Sequence, residues 1–227
     1  MREAIVLAGG FGTRLKKLVH NVPKPMAIVA GRPFLEILLD LLEKKGFERI
    51  ILSIGFMGQQ IKTHFGNSYH SMELVYVVED EPLGTGGAIK LAMKQVRSDC
   101  VYVLNGDTFI DIEADEIETQ WGIHRRPIII AREVPDTSRY GRLVVASGIL
   151  TEFIEKKQAG PGLVNAGCYL LNHMPNEAFP DIDKFSFEER CLGPGISRGE
   201  FDVFLVTGKF IDIGVPEDYI RAQTELI

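Results

Sequence analysis

The 227 residues carry 25 Lys and Arg against 31 Asp and Glu, a net charge of −6, with 45% hydrophobic and 25% charged residues. Such a chain can bury a substantial core; the composition excludes a disordered chain and gives no overall basic field for nucleic acid, so an anionic ligand has to be met by a local cluster. The longest apolar stretches, such as Ile5–Ala8 and Ile128–Ala131, are too short to cross a bilayer, no membrane partner is expected, and the absence of an export signal after Met1 makes the cytoplasm the expected compartment.

Strand and helix signals alternate through the first half. Glu3–Ala8 reads as a buried strand that stops at Gly9-Gly10. Phe34, Ile37, Leu38, Leu41 and Leu42 recur at helical spacing, with Pro33 placed in the first turn and Gly46 ending the helix. Arg49–Ile54 is a strand, Gln59–Phe65 a short helix and Glu73–Val78 a third strand. Ile89, Ala92, Met93 and Val96 mark a second strong helix, and Cys100–Leu104 a fourth strand. This rhythm predicts right-handed βαβ units around a parallel sheet. After about residue 125 it changes: Pro127–Val134, Gly141–Ala146, Leu150–Glu155 and Leu163–Leu171 read as strands with short connections, and Ser147-Gly148 as a hairpin turn. Ser186–Cys191 reads as helical, Val203–Val206 and Phe210–Ile213 as strands, and Pro216–Leu226 as a closing helix. The expectation is one domain, with residues 1–125 as an α/β half and residues 126–227 as an antiparallel extension, a candidate sugar-binding lobe. Cys100, Cys168 and Cys191 are odd in number and widely spaced without C-x-x-C; they read as buried reduced thiols.

Two glycine-rich loops stand out. Leu7-Ala8-Gly9-Gly10 continues through Gly12, Thr13 and Arg14, so a strand ends in a loop whose backbone N–H groups can approach phosphates closely. It lacks the Gly-Lys-Ser/Thr ending of a P-loop, and Leu15 stands where a dinucleotide fingerprint needs its third glycine. Arg14, Lys16, Lys17 and Lys24 gather nearby, and Pro23 and Pro25 stiffen the backbone around Lys24, which suits a fixed charge partner such as a phosphate oxygen. Leu83–Ala88 is the second glycine loop and opens a helix; Gly84 and Gly87 allow close approach of a base or ribose, and Thr85 can cap the helix.

Asn105-Gly106-Asp107 follows the fourth strand, at the carboxyl end where ligands of parallel sheets sit, and Asp107 can hold Mg²⁺ against phosphates. Asp212 lies between isoleucines, which is costly unless the carboxylate is paired or metal-bound. Glu155-Lys156, Asn165-Ala166-Gly167 and Tyr140-Gly141-Arg142 add polar groups in the second half. The five histidines show no ligand spacing, and no G-x-S-x-G or Cys/His nucleophile pattern occurs, which weighs against a hydrolase.

Leu7–Leu15, Pro23-Lys24-Pro25, Glu79 with Leu83–Ala88, Asn105–Asp107, Glu155-Lys156, Asn165–Gly167 and Asp212-Ile213-Gly214 together, in this order, resemble the sugar-1-phosphate nucleotidylyltransferases over nearly the whole chain. The resemblance implies a Rossmann-like core with a mixed, mostly parallel sheet. It also implies the reaction of a nucleoside triphosphate with a sugar 1-phosphate to give a nucleoside diphosphate sugar and pyrophosphate, with Mg²⁺ as cofactor. Carried over by position, Arg14, Lys24 and Asp107 are the catalytic residues. Leu7, Ala8, Gly9, Gly10, Gly12, Thr13, Arg14, Glu79, Gly84, Thr85, Gly87, Asn105 and Gly106 bind the nucleotide. Gly141, Glu155, Lys156, Asn165 and Gly167 bind the sugar phosphate, and Asp107 with Asp212 holds the metal. Within the family, the short chain, the run Pro82–Ile89 and the run Phe210–Tyr219 together are most similar to the branch that joins GTP to a heptose 1-phosphate for capsule or surface glycans. Mannose 1-phosphate, UTP or dTTP are the alternatives, as is a non-catalytic nucleotide-binding subunit, and a homo-oligomer is compatible with the pattern. Glu79 at a strand end is the candidate acceptor for guanine N1–H and its amino group, with Glu81 beside it. Two departures from the family pattern are Lys16–His20, where many members have proline and threonine, and Lys157, where many have proline. No hexapeptide-repeat extension follows Ile227, so a single activity is expected.

Overall fold

The computed structural model describes residues 1–10, 15, 19, 22–154, 159–174 and 179–226. In chain order its first half holds β1 (Glu3–Leu7), β2 (Ile28–Val29), β3 (Arg32–Pro33), α1 (Phe34–Lys44), β4 (Arg49–Ile54), α2 (Gly58–Phe65), β5 (Ser68–Tyr69), β6 (Met72–Val78), α3 (Gly84–Met93), β7 (Cys100–Asn105), β8 (Thr108–Ile110) and α4 (Ala114–His124). The second half holds β9 (Ile128–Val134), β10 (Arg142–Ala146), β11 (Ile149–Ile154), β12 (Gly162–Asn172), a π-helical turn (Glu188–Leu192) running into α5 (Gly193–Ser197), β13 (Asp202–Val206), β14 (Phe210–Asp212) and α6 (Pro216–Glu225).

One ten-stranded sheet, in the order β10-β11-β13-β9-β12-β7-β1-β4-β6-β5, runs through both halves. Its centre is parallel: β1 pairs with β4 and β7, and β4 with β6. β1 is a continuous apolar run because both its faces are covered. Ala4 and Val6 face a core supplied by α1, α2 and α4, whereas Ile5 faces Ile89, Ala92 and Met93 of α3 together with Phe185, Phe187 and Leu192. This is the α/β, Rossmann-like architecture with a mixed sheet that the sequence predicts.

The antiparallel extension is more than a meander. β10 pairs with both β11 and β12, β12 with β9, β9 with β13, and β13 with β11. The five strands close into a ring. Ser147 (φ 52°) and Gly148 (φ 78°) are both left-handed and form the β10–β11 turn, as expected for a two-residue hairpin. A third apolar cluster joins Ala27 and Val29 to Phe34, Ile211, Ile213 and Ala222, and so docks α6 and β14 beside the β2–β3 hairpin.

In four places the structure adds to or corrects the sequence reading. α4 has no counterpart in the sequence reading, because only Ala114, Ile117 and Trp121 of its eleven residues are buried and the apolar stripe is thin. Pro33 stands just before α1, at φ −54° and ψ 135°, and not in its first turn. Helical winding near Ser186–Cys191 is realised as a π-helical turn over Glu188–Leu192. Of the three thiols only Cys168 is fully buried; Cys100 and Cys191 are half-buried.

Candidate active site

Strand order places the reactive groups. β1 and β7 are parallel neighbours whose connections leave toward opposite sides, so a crevice opens beyond their carboxyl ends. Leu7 pairs in register with Asn105, and Gly106 N donates to Leu7 O at 2.9 Å, which brings the start of the first glycine loop against Asn105-Gly106-Asp107. Ala8 N donates to Ser53 O at 2.8 Å. Gly9 lies against Glu79, since a Cβ there would fall 2.5 Å from Glu79 Oε1, and a Cβ on Gly10 would meet nothing within 4 Å among the described residues. Gly12, Thr13 and Arg14 lie outside the described residues, as do Lys16, Lys17, Glu155, Lys156 and Lys157.

Lys24 opens a 3₁₀ turn, Lys24–Met26, held by the flanking prolines. Its side chain is only 9% exposed and its Nζ forms an ion pair with Asp107 Oδ2. Directly after Asp107, β8 pairs with β14 so that Thr108 faces Asp212, and Ile213 N donates to Asp107 O at 3.0 Å. Gly214 N donates to Asp212 Oδ1 at 2.7 Å. A Cβ on Gly214 would sit 2.7 Å from Asp212 Oδ1 and 3.1 Å from Lys24 Nζ, so the absent side chain leaves a cradle shared by a carboxylate and a buried ammonium. Lys24, Asp107 and Asp212, drawn from three separate stretches of sequence, thus meet at one point. Among the described residues no group of three or more His, Cys, Asp or Glu is placed to hold a metal, so a cation here would be shared between the two aspartates and phosphate oxygens.

A cleft of about 440 Å³ adjoins this point. Six sequence-predicted residues line it: Asn105, Asp107, Gly141, Asn165, Gly167 and Asp212. The Asn165 motif reaches it through a bulge. β12 breaks register with β9 between Asn165 and Tyr169, while Cys168 keeps its pairing with Leu104 of β7. Gly167 (φ 67°) turns the chain there, and a Cβ would strike Asn105 Nδ2 at 2.5 Å.

The sequence reading missed other lining residues. Arg139 pairs with the buried Asp218 of α6, and Tyr140 packs on Phe210 with ring centroids 5.7 Å apart. Burial, with the Asp218 charge next, raises the Tyr140 phenol above its ordinary range, so it presents a neutral hydroxyl. Phe153, Ser186, Glu188 and Glu189 also line the wall. Only the Tyr140-Gly141-Arg142 run signals part of this in the sequence.

At the second glycine loop the expected helix cap is not formed. α3 begins after Leu83 with no side-chain cap; Thr85 Oγ1 instead donates to Glu188 Oε2 at 2.9 Å and accepts from Phe187 N at 2.9 Å. The glycines admit the protein's own chain: a Cβ on Gly87 would lie 2.0 Å from Asp183 O, and one on Gly84 would lie 2.6 Å from Phe185 O. Glu79 spans the two loops, accepting from Ser53 Oγ at 3.0 Å on Oε1 and from Leu83 N at 3.1 Å on Oε2.

The arrangement offers a buried ammonium and paired carboxylates at the sheet's carboxyl edge, glycine loops on one side and a polar cleft on the other. That is a site for an anionic, hydroxyl-rich ligand pair. No helix among the described residues is long and apolar enough to cross a membrane. The model of the family described as nucleotidyl transferase matches residues 3–227. The chain is 37% identical over 225 residues, 99% of its length and 98% of the relative's, to D-glycero-alpha-D-manno-heptose 1-phosphate guanylyltransferase of Aneurinibacillus thermoaerophilus. It is 39% identical over 219 residues, 96% of both chains, to the protein of the same name from Campylobacter jejuni. The crystal structure of HddC from Yersinia pseudotuberculosis complexed with GMP-PN superposes with a TM-score of 0.87 at 38% identity, covering 98% of both chains.

Proposed function

The chain belongs to the nucleotidyl transferase family, and from that premise we propose that it is a guanylyltransferase joining GTP to D-glycero-α-D-manno-heptose 1-phosphate, with release of pyrophosphate. The observation that carries this reading is the likeness, over nearly full length, to two heptose 1-phosphate guanylyltransferases. The GMP-PN of the HddC complex supports guanosine as the nucleoside. The chain would act as one catalytic unit in the cytoplasm, supplying GDP-heptose for surface glycans.

The chemistry asks for placement and charge. The attacking oxygen belongs to the sugar phosphate, a monoester whose second pKa is about 6, so it is largely ionised at neutral pH and needs no general base. It adds in line to the α-phosphorus of GTP, and the bond to the β-phosphate oxygen breaks to release pyrophosphate. Lys24, buried and anchored on Asp107, supplies fixed positive charge where the α-phosphate gathers negative charge. Gly9 and Gly10, continuing through Gly12, Thr13 and Arg14, cradle the triphosphate. Leu7, Ala8, Asn105 and Gly106 form the adjoining floor, and Gly84, Thr85 and Gly87 flank the nucleoside. Glu79 keeps a second lone pair on each oxygen beyond its bonds to Ser53 and Leu83, enough to accept guanine N1–H and its amino group. Gly141, Asn165 and Gly167 receive the sugar, with Glu155 on its hydroxyls and Lys156 on its phosphate.

Asp107 and Asp212, beside the Gly214 cradle, fit a hard divalent cation such as Mg²⁺. When bound, it would neutralise phosphate charge and polarise the phosphoryl oxygens. The reading is tested by incubating purified protein with GTP, heptose 1-phosphate and Mg²⁺ and identifying products by mass spectrometry. GDP-heptose formed with equimolar pyrophosphate, and lost on chelation, is expected. Turnover of GTP without a nucleotide sugar would reject the reading.

A further inference from the structure

The cleft has an unequal charge balance. Among the described residues that line it, Asp107, Asp212, Glu188 and Glu189 are carboxylates, and Arg139 is the single cation. Carboxylates suit sugar hydroxyls, which donate to them, but they repel a phosphate dianion. Lys24 does not line the cleft; its ammonium is engaged by Asp107 at the Gly214 cradle.

Three restraints fix Arg139. It is the third residue of the turn Thr137–Tyr140, closed by Tyr140 N donating to Thr137 O at 3.0 Å. Thr137 is buried, and its N donates to Gly160 O at 3.0 Å, so the turn is tied down. The Arg139 guanidinium carbon lies 5.7 Å from the centroid of the Tyr140 ring, which packs on Phe210 of β14, the strand that ends in Asp212. Arg139 Nη2 also donates to Asp218 Oδ2 of α6. The Asp218 side chain is only 4% exposed, and its Oδ1 lies 3.3 Å from Arg221 Nη1, so the carboxylate is gripped from both sides. A guanidinium carries five N–H donors in one plane, and among the described residues Asp218 alone accepts from this one. The side chain stays 43% exposed, which leaves donors for a ligand in the cleft it lines.

We propose that Arg139 binds the phosphate of the sugar 1-phosphate, and that Asp218 is the positioning residue that aims it. This rests on the nucleotidylyl-transfer reading and adds a fixed cation to the Lys156 expected there. It divides the work between two cations: Lys24 meets the α-phosphate of the nucleotide, and Arg139 meets the incoming phosphate. A planar guanidinium can hold two phosphate oxygens side by side, which leaves the third for attack on the α-phosphorus.

The test titrates heptose 1-phosphate by calorimetry, with Mg²⁺ and a non-hydrolysable GTP analogue present, into the wild type, Arg139→Gln, Arg139→Lys and Asp218→Asn. Affinity for the GTP analogue and melting temperature are measured alongside. Arg139→Gln is expected to weaken heptose 1-phosphate about 10–100-fold, the size of a hydrogen bond to a charged group, while affinity for the GTP analogue holds. Arg139→Lys should recover part of the loss, because it keeps the charge without the fork. Asp218→Asn should weaken the sugar phosphate about 3–10-fold, since it removes the charge that aims the guanidinium. A lowered melting temperature with unchanged affinity for heptose 1-phosphate would make the pair a brace for α6 and overturn the proposal. Equal losses for both substrates would overturn it too. If Arg139→Gln does not fold, Arg139→Lys decides, and wild-type affinity in that variant overturns the proposal. Failure of the underlying reading is separate: the wild type would release no pyrophosphate from GTP and heptose 1-phosphate. Titration with inorganic phosphate then decides for Arg139. Saturable binding that is lost in Arg139→Gln supports the assignment, and equal binding or none to the wild type overturns it.

Discussion

The parallel half and the antiparallel ring solve different problems. In the parallel half, strands covered on both faces fix backbone ends, and Lys24 and Asp107 are set there, with Asp212 brought to the same point by β14 pairing on β8. In the ring, a bulge in β12, a π-helical turn and the Arg139–Asp218 pair shape a cleft. Rigid parallel strands suit charge that has to stay in place, while bulges and turns suit a surface that has to fit hydroxyls. The comparison predicts that changes in the first region strike kcat or global stability, and changes in the second strike KM.

The largest effect should come from Lys24→Ala, which is expected to lower kcat about 10²–10³-fold, the scale seen on removing one fixed donor to developing negative charge. Circular dichroism should stay unchanged, and near-normal turnover in the folded variant would break the assignment. At the opposite end of the same sheet, Arg49 (2% exposed) donates to Glu3 (0% exposed) at 2.7 Å and to Gln95 O at 2.6 Å. Arg49→Met strands a buried carboxylate and should cost about 3–5 kcal/mol in urea titration while KM values hold.

Glu3 adds a pH signature. Burial alone would raise its carboxyl pKa, but hydrogen bonds from Ser98, Arg97 N and Arg49 outweigh burial and hold it below the ordinary 4.5. A depressed folded-state pKa gives stability that is full above 4.5 and is lost as pH falls through the folded value. Glu3→Gln should flatten the acid limb of the melting curve, and an unchanged limb would contradict this.

Between the regions, Gly87→Ala drives a Cβ into the Asp183 carbonyl and should destabilise by about 1–3 kcal/mol, with loss of affinity on both sides of the site. Smallest, Glu79→Gln should weaken GTP by about 1 kcal/mol more than it weakens other nucleotides, since one charge-assisted acceptor becomes neutral. Equal losses for all nucleotides would leave Glu79 as a brace between the loops only.

Much of this was legible in the residues because it is local. Short apolar runs marked the parallel strands, and Asn105-Gly106-Asp107 fell at a strand end as the periodicity required. Ser147-Gly148 carried its own turn geometry. What escaped depends on distant contacts. Closure of the ring rests on a single register pair between β11 and β13, Ile149 with Asp202, which no local pattern encodes. Thr85 looked like a helix cap because Ser and Thr usually serve there; Glu188, far along the chain, takes its hydroxyl instead. Arg139 and Asp218 find each other only once α6 docks on the third apolar cluster.

The most direct measurement is the initial rate of pyrophosphate release by the wild-type chain with Mg²⁺, crossing GTP, ATP, UTP, CTP and dTTP with heptose, mannose and glucose 1-phosphates. The account predicts the highest kcat/KM for GTP with heptose 1-phosphate. A higher value for any other pair, or no release from a folded protein that binds GTP, would contradict it.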